Sequence, residues 1–403
     1  MPENIDDSRT ALAIPPLLRL AFRPLFLGGT IFSIITIAWW SYFWLNSFNW
    51  QPYGGPIWWH GHEMLFGFGA SIVVGFLLTA VQTWTGVIGL RGRPLLVLTL
   101  AWLLGRLLLA FGAGLPLRLV MAGDLLFLIF AAIAMAYPLF KAKQRQNMIF
   151  VPILAILALL NGVSHWGVVT NQPEMAQVSL HGAIMMFVLI IAILGGRVIP
   201  FFTANGAGVE KKPPIKWLEI VSITSIVFLV AIAFAGFNKV PNNLLLTVSS
   251  IAAIAIANGW RFLRWNGQHC AKIPLLWSLH LSYAFIPLGF IVLTLYAVGY
   301  TASLSAALHC FTAGAMGGMI LAMISRVTLG HTGRPLQPPK LMSVGYIAII
   351  AGAFLRVIFP GWFPEGSSWA IGLAGGLWVL GYGIYVFYYG PILVAARADG
   401  RPG

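Results

Sequence analysis

The sequence is poor in charge. Only 8% of its 403 residues are Asp, Glu, Lys or Arg, against about a quarter in a soluble domain, which excludes a water-soluble globular fold. Cysteine is nearly absent: Cys270 and Cys310 are far apart and form no CxxC pair, which argues against a disulfide framework or a thiolate metal site. No CxxCH occurs either. The N-terminal MPENIDDSRTALAIPPLLRL has no cleavable small-residue site and reads as a cytoplasmic lead-in over 1–23. The net charge of +14 is spread between apolar runs instead of clustered, which excludes nucleic acid as a partner.

What is abundant is apolar. Hydrophobic residues make up 59% of the chain, with 44 Gly and 16 Trp, as expected of helices that pack closely in a lipid bilayer between aromatic belts. Apolar runs of about 20 residues fall near 24–45, 60–85, 94–112, 116–140, 148–168, 176–199, 215–236, 241–260, 273–298, 302–326, 340–359 and 367–394. The expected fold is therefore all-α: one polytopic membrane domain over 1–403 with about twelve spans and a short tail at 395–403. Of the 24 Lys and Arg, 20 fall in alternate loops and termini, the exceptions being Arg106, Arg118, Lys239 and Arg356. By the positive-inside rule both termini are expected in the cytoplasm. The opposite loops (46–58, 169–175, 299–302, 360–366) are short and almost uncharged, so the chemistry is expected within the bilayer.

The stretch GGPIWWHGHEMLFGFGASIVVGFLLTAVQ, Gly55–Gln82, begins as an interface belt and runs on as a span. His60, His62 and Glu63 stand at its mouth, and such groups are costly to desolvate unless paired or ligated. His165, His181 and His309 fall at a similar depth on three further helices, so five of the eight histidines lie in the outer third. A lone helical His is more often a packing residue than a ligand. Five at one level point to metal or haem, for which neutral imidazole is a common ligand. Two residues apart on a regular helix is about 200°, so His60 and His62 are not expected to face one point; one ligates while the other serves a second site or hydrogen-bonds. His280 lies in the inner half of its span, and His269 and His331 in basic loops. On the His309 span, Thr312, Met316, Met319 and Met323 share its stripe, a core face or a soft wall for haem or copper.

Charges inside the spans add to this. Arg106 and Asp124 are at matching depth on adjacent antiparallel helices, and an ion pair is the expected reading. Arg356, with no partner evident in the sequence, is a candidate anchor for a haem propionate. Arg326 is a second such candidate. Glu63 is either a capping carboxylate or a proton donor to the site.

FRPLF (Phe22–Phe26), WHGHEMLFGF (Trp59–Phe68), HGAIMMFVL…GGRVIPFFT (His181–Thr203), WSLHLSY (Trp277–Tyr283) and HCFTAGAMGGMILAMISRVTLGHTGRP (His309–Pro335) resemble the NnrS family over nearly the whole chain. The resemblance implies a bacterial inner-membrane protein with haem and copper, associated with denitrification and relief of nitric oxide stress. It carries over His60, His62, His181, His280, His309 and His331 as motif histidines without individual ligand roles; His165 rests on depth alone. The expected activity is binding of nitric oxide at a b-type haem and its reduction with electrons from quinol or another donor. A non-enzymatic haem or copper protein that buffers nitric oxide is the alternative, and a transporter the third.

Overall fold

The computed structural model describes residues 11–46, 48–112, 114–235, 244–301 and 303–402. Arg9, Lys239 and the first ten residues of the expected lead-in lie outside the described residues. Among the described residues there is no strand, and long helices follow one another: α1 Phe22–Asn46, α2 Pro56–Thr85, α3 Arg93–Phe111, α4 Leu117–Lys141, α5 Phe150–Val169, α6 Pro173–Ala207, α7 Lys216–Ala235, α8 Leu244–Leu263, α9 Pro274–Ala297, α10 Leu304–His331, α11 Met342–Trp362 and α12 Ser367–Val394. Ten of these are long and apolar enough to cross a membrane among the described residues; α7 and α8, at the expected seventh and eighth spans, are not in that set. The chain is a multi-pass membrane protein. Saturating the backbone within each helix is what a bilayer demands, since the hydrocarbon offers no partner for a free N–H or C=O.

Sequential helices pack side by side, and α12 also packs along α1. Within this bundle α2, α6 and α10 are buried over most of their length, whereas α1, α3, α4, α5, α11 and α12 leave more than half of their apolar stretch to lipid. Five of the eight histidines, His60, His62, His181, His309 and His331, are on these three interior helices, while His165 is on α5 and His280 on α9. Small residues permit the close approach: Gly345 and Gly381 face each other where α11 meets α12, leaving no room for a Cβ at either.

Two interior helices widen locally. α2 runs as a π-helix over Glu63–Gly69 and α10 over Cys310–Gly317, each starting one residue after a histidine. A widened turn leaves carbonyls short of partners and is a frequent mark of function. Here aromatic donors fill the gap: Trp102 Nε1 donates to Gly67 O (2.8 Å) and the Tyr382 hydroxyl to Gly317 O (2.7 Å). Gly67 has a further reason to be glycine, since a Cβ there would stand 2.6 Å from Arg106 Nη1.

Buried arginines tie the ends together. Arg23, wholly buried near the start of α1, donates to Leu393 O (2.9 Å) and Ala395 O (2.7 Å), satisfying carbonyls at the C-terminus of α12. Arg261 on α8 holds Glu219 of α7 (2.6 Å), Ala192 O of α6 (2.9 Å) and the Tyr283 hydroxyl of α9 (2.9 Å). Replacing Arg23 with Ala is expected to lower thermal stability by about 2 kcal/mol or more, read as loss of melting temperature in detergent. The helix ends it caps would fray first, seen as faster amide exchange at 392–395.

Candidate functional site

The histidines of α2 divide between two sites. His62 turns into a closed polar cluster among α2, α3, α4 and α5, and His60 turns into a cavity bounded by α1, α2, α10, α11 and α12.

The cluster is fully buried: His62, Glu63, Asp124, Asn161 and His165 are each no more than 2% exposed and Arg106 only 5%, so every charge must find a partner. Arg106 is the hub. Its Nη1 donates to Glu63 Oε1 at 2.6 Å and its Nη2 makes a short bond to Asp124 Oδ1, realising the pair expected from the sequence and adding Glu63 to it. His62 Nδ1 lies 2.8 Å from Glu63 Oε1, and His62 Nε2 lies 2.8 Å from Asn161 Oδ1 and 3.3 Å from Asp124 Oδ2. Asn161 Nδ2 donates to Asp124 Oδ2 (2.7 Å), which commits its Oδ1 to accepting from His62.

Both ring nitrogens of His62 therefore face acceptors, and both carry protons. The indole of Trp58 stacks on that ring at 4.5 Å between centroids, a cation–π contact, and is fixed by Nε1 donating to Ser164 Oγ (2.9 Å). Glu63, Asp124, Arg106 and His62 then sum to zero charge. That balance is what makes the burial affordable.

Tyr53 closes the cluster from the loop before α2. Burial, and then the charge of Asp124, raise its pKa above the ordinary phenol value, and its hydroxyl lies 2.9 Å from His165 Nδ1. His165 Nε2 faces the Asp124 carboxylate, which only accepts, so it carries the hydrogen and donates to Asp124 Oδ2 (3.2 Å), and Nδ1 of the neutral ring accepts from Tyr53. The donor atoms of His62, Asp124 and His165 lie within 4.8 Å of one another, close enough to share a metal ion. Such an ion would displace the second proton of His62, while the His165 ring would shift its one hydrogen to Nδ1 and stay neutral. With the His62 proton gone the cluster carries one net negative charge, so a monovalent cation restores the balance.

The cavity is the other half. His60, Met64, His309, Thr312, Met316 and Arg356 face it, with Trp40 and Trp378 among its walls, and the space open to the centres of water-sized molecules is about 80 Å³, which a bound cofactor would have to widen. His60 stacks on Trp40 (4.3 Å, 10° between planes) and its buried Nδ1 has no hydrogen-bond partner. His309 Nδ1 donates to Ser305 O (2.7 Å), which leaves the lone pair on Nε2, the arrangement metal-binding imidazoles adopt. Arg356 Nη2 donates to Ser305 Oγ (2.9 Å) while its buried Nη1 is unpartnered. An orphaned imidazole nitrogen and an orphaned guanidinium N–H at one cavity are groups that await a ligand.

The other sequence candidates lie elsewhere. His280 bonds Thr203 Oγ1 (2.9 Å) and belongs to a separate groove beside Trp277. His331 packs against the Phe22 ring (5.7 Å between centroids) at the far end of α10. The Arg326 guanidinium lies 3.8 Å from the centroid of the Phe202 ring and does not line the cavity. His181 is half-buried on α6, and it too is outside the cavity lining. Sequence reasoning missed Tyr53, Trp58, Asn161 and Ser305. Asn161 had a signal: it stands four residues before His165, one turn away on the same face.

A family model described as NnrS protein matches residues 16–397. The chain belongs to the NnrS family. No curated protein matches it. Within this NnrS chain the matched region spans both the cluster and the cavity.

Replacing Arg106 with Met is expected to cost about 3–5 kcal/mol, because two buried carboxylates lose their shared counter-charge. Replacing Asp124 with Leu as well should recover part of that loss. Thermal melts of the two single variants and the double variant check this through their coupling; simple additivity would mean that the hub does not act as a unit.

Proposed function

We propose that this protein resides in the bacterial inner membrane, binds haem b in the His60–His309 cavity and acts on nitric oxide there, with copper as a second metal at the His62–Asp124–His165 point. The observation that carries this reading is the cavity's pair of unsatisfied groups, His60 Nδ1 and Arg356 Nη1, beside a His309 whose Nε2 is free to ligate. The residues fit the cofactor. His309, held in orientation by Ser305, would offer Nε2 to the iron, Arg356 would offer N–H to a propionate, and Met64 and Met316 would give a soft apolar wall. A haem held there supplies an iron position for a diatomic ligand and accepts electrons, for which quinol or another donor is the proposed source. Nitric oxide is small and apolar enough to arrive through lipid, so the absence of large loops among the described residues is no obstacle.

Glu63 is the proposed proton relay: ionised within the cluster, it would take up a proton before handing it on. It lies three residues from His60, and its Oε1 is shared by His62 and Arg106. That same double hold on Glu63 favours a second reading, in which the protein binds nitric oxide stoichiometrically and turns none over.

The test is the optical spectrum of the purified full chain, reduced, before and after nitric oxide, with metal analysis of the same sample. The expected result is a b-type Soret band that shifts with nitric oxide. His309→Ala and His60→Ala should lose most of the band, and Arg356→Gln should weaken haem retention by roughly tenfold or more; His331→Ala should keep it. Catalytic loss of nitric oxide with a quinol supports the enzyme, and a shift without turnover supports the binder. A wild-type chain that takes up no haem, or a band indifferent to both cavity histidines, overturns the assignment.

A further inference from the structure

At the end of the bundle that carries the basic loops, α6, α7 and α8 enclose a second cavity of a different character. The space open to the centres of water-sized molecules is about 360 Å³, and Arg197, Lys211, Lys212, Glu219, Arg261 and Arg264 line it. Five cations thus face one carboxylate. Glu219 is consumed by Arg261, whose Nε and Nη2 both reach Glu219 Oε2, at 2.9 and 2.6 Å. Four cations remain, and no carboxylate among the described residues pairs with them.

Two of the four are held in place by neutral groups: Arg264 Nη2 donates to Pro213 O (3.0 Å) and Arg197 Nη1 to Asn147 Oδ1 (3.1 Å). Lys211 and Lys212 are presented on an exposed segment that Pro213 and Pro214 stiffen. Like charges gathered around one space repel, and an anion bearing more than one acceptor oxygen relieves them.

The depth of the cavity identifies the anion. Beside it, Trp217 of α7 and Trp260 of α8 meet edge to face at 5.4 Å and remain 53% and 46% exposed. Exposed Trp of this kind marks the headgroup level of a bilayer. Beyond them Ile220 and Ile256 are exposed at 61% and 70%, an apolar surface on which acyl chains lie.

We propose that this cavity binds the phosphate headgroup of an anionic phospholipid, its chains running along α7 and α8. Basic pockets between membrane helices at the positively charged face take such headgroups. The site is independent of the haem assignment.

The experiment is native mass spectrometry of the full chain, delipidated in detergent and titrated with phosphatidylglycerol, phosphatidylcholine or inorganic phosphate. The expected result is one tightly held phosphatidylglycerol over phosphatidylcholine, undiminished by millimolar phosphate. In Lys211→Gln/Lys212→Gln/Arg264→Gln its retention should fall by roughly tenfold or more. Lys211→Arg/Lys212→Arg should retain it, and an unchanged elution profile in gel filtration shows that both variants are folded. Equal retention of the two lipids, or of phosphatidylglycerol by wild type and the Gln variant, overturns the proposal. Displacement by phosphate assigns the cavity to a free anion and overturns it as well.

Discussion

The guanidinium of Arg106 is the interaction on which the interior depends. It reaches from α3 to carboxylates on α2 and α4, and those carboxylates in turn position His62, Asn161 and His165. In a bilayer the hydrophobic effect does not drive one apolar helix onto another, because lipid is as apolar as Leu. Directional polar contacts carry more of the specificity instead. A buried cluster of two carboxylates, one guanidinium and one imidazolium fixes the register of α2, α3 and α4, with α5 joined through the neutral Asn161 and His165, and a slip of one turn at any of the first three would strand a charge.

The cavity depends on that registration without sharing its chemistry. His60 is set by the rotation of α2, which the cluster holds from the other side, and its ring rests on Trp40 of α1. His309 is set by a backbone carbonyl one turn earlier on its own helix, and Ser305 of that turn also receives Arg356 from α11. The charges of the cluster balance within it, whereas the cavity's Arg356 has no carboxylate partner among the described residues. One pairs its charges, and the other leaves His60 Nδ1 and Arg356 Nη1 without partners.

Much of this was legible in the sequence. Low charge and long apolar runs specified an all-α membrane bundle, and the Arg106–Asp124 pair followed from matched depth on neighbouring helices. The 200° separation of His60 and His62 foretold that they would part. What could not be read was which helix faces met. All the helices are apolar nearly all round, so no stripe marks an inward side. Arg326 illustrates the cost: at the sequence level it was as good an anchor as Arg356, and only packing put it on Phe202. Tyr53 and Ser305 carried no signal, because a loop tyrosine and a helical serine are ordinary until something is seen to need them.

The π-helical turns at Glu63–Gly69 and Cys310–Gly317 place a geometric condition on both sites. Each holds its helix one residue out of phase with the regular spiral, so the histidine before it and the glycines after it answer to different neighbours. Reverting either to a regular α-helix would turn everything on one side of it by about 100° relative to the other. The phase of these two turns is therefore a shared setting, like the keyed joint of a shaft, through which the buried aromatics Trp102 and Tyr382 bear on the direction in which His60, His62 and His309 look.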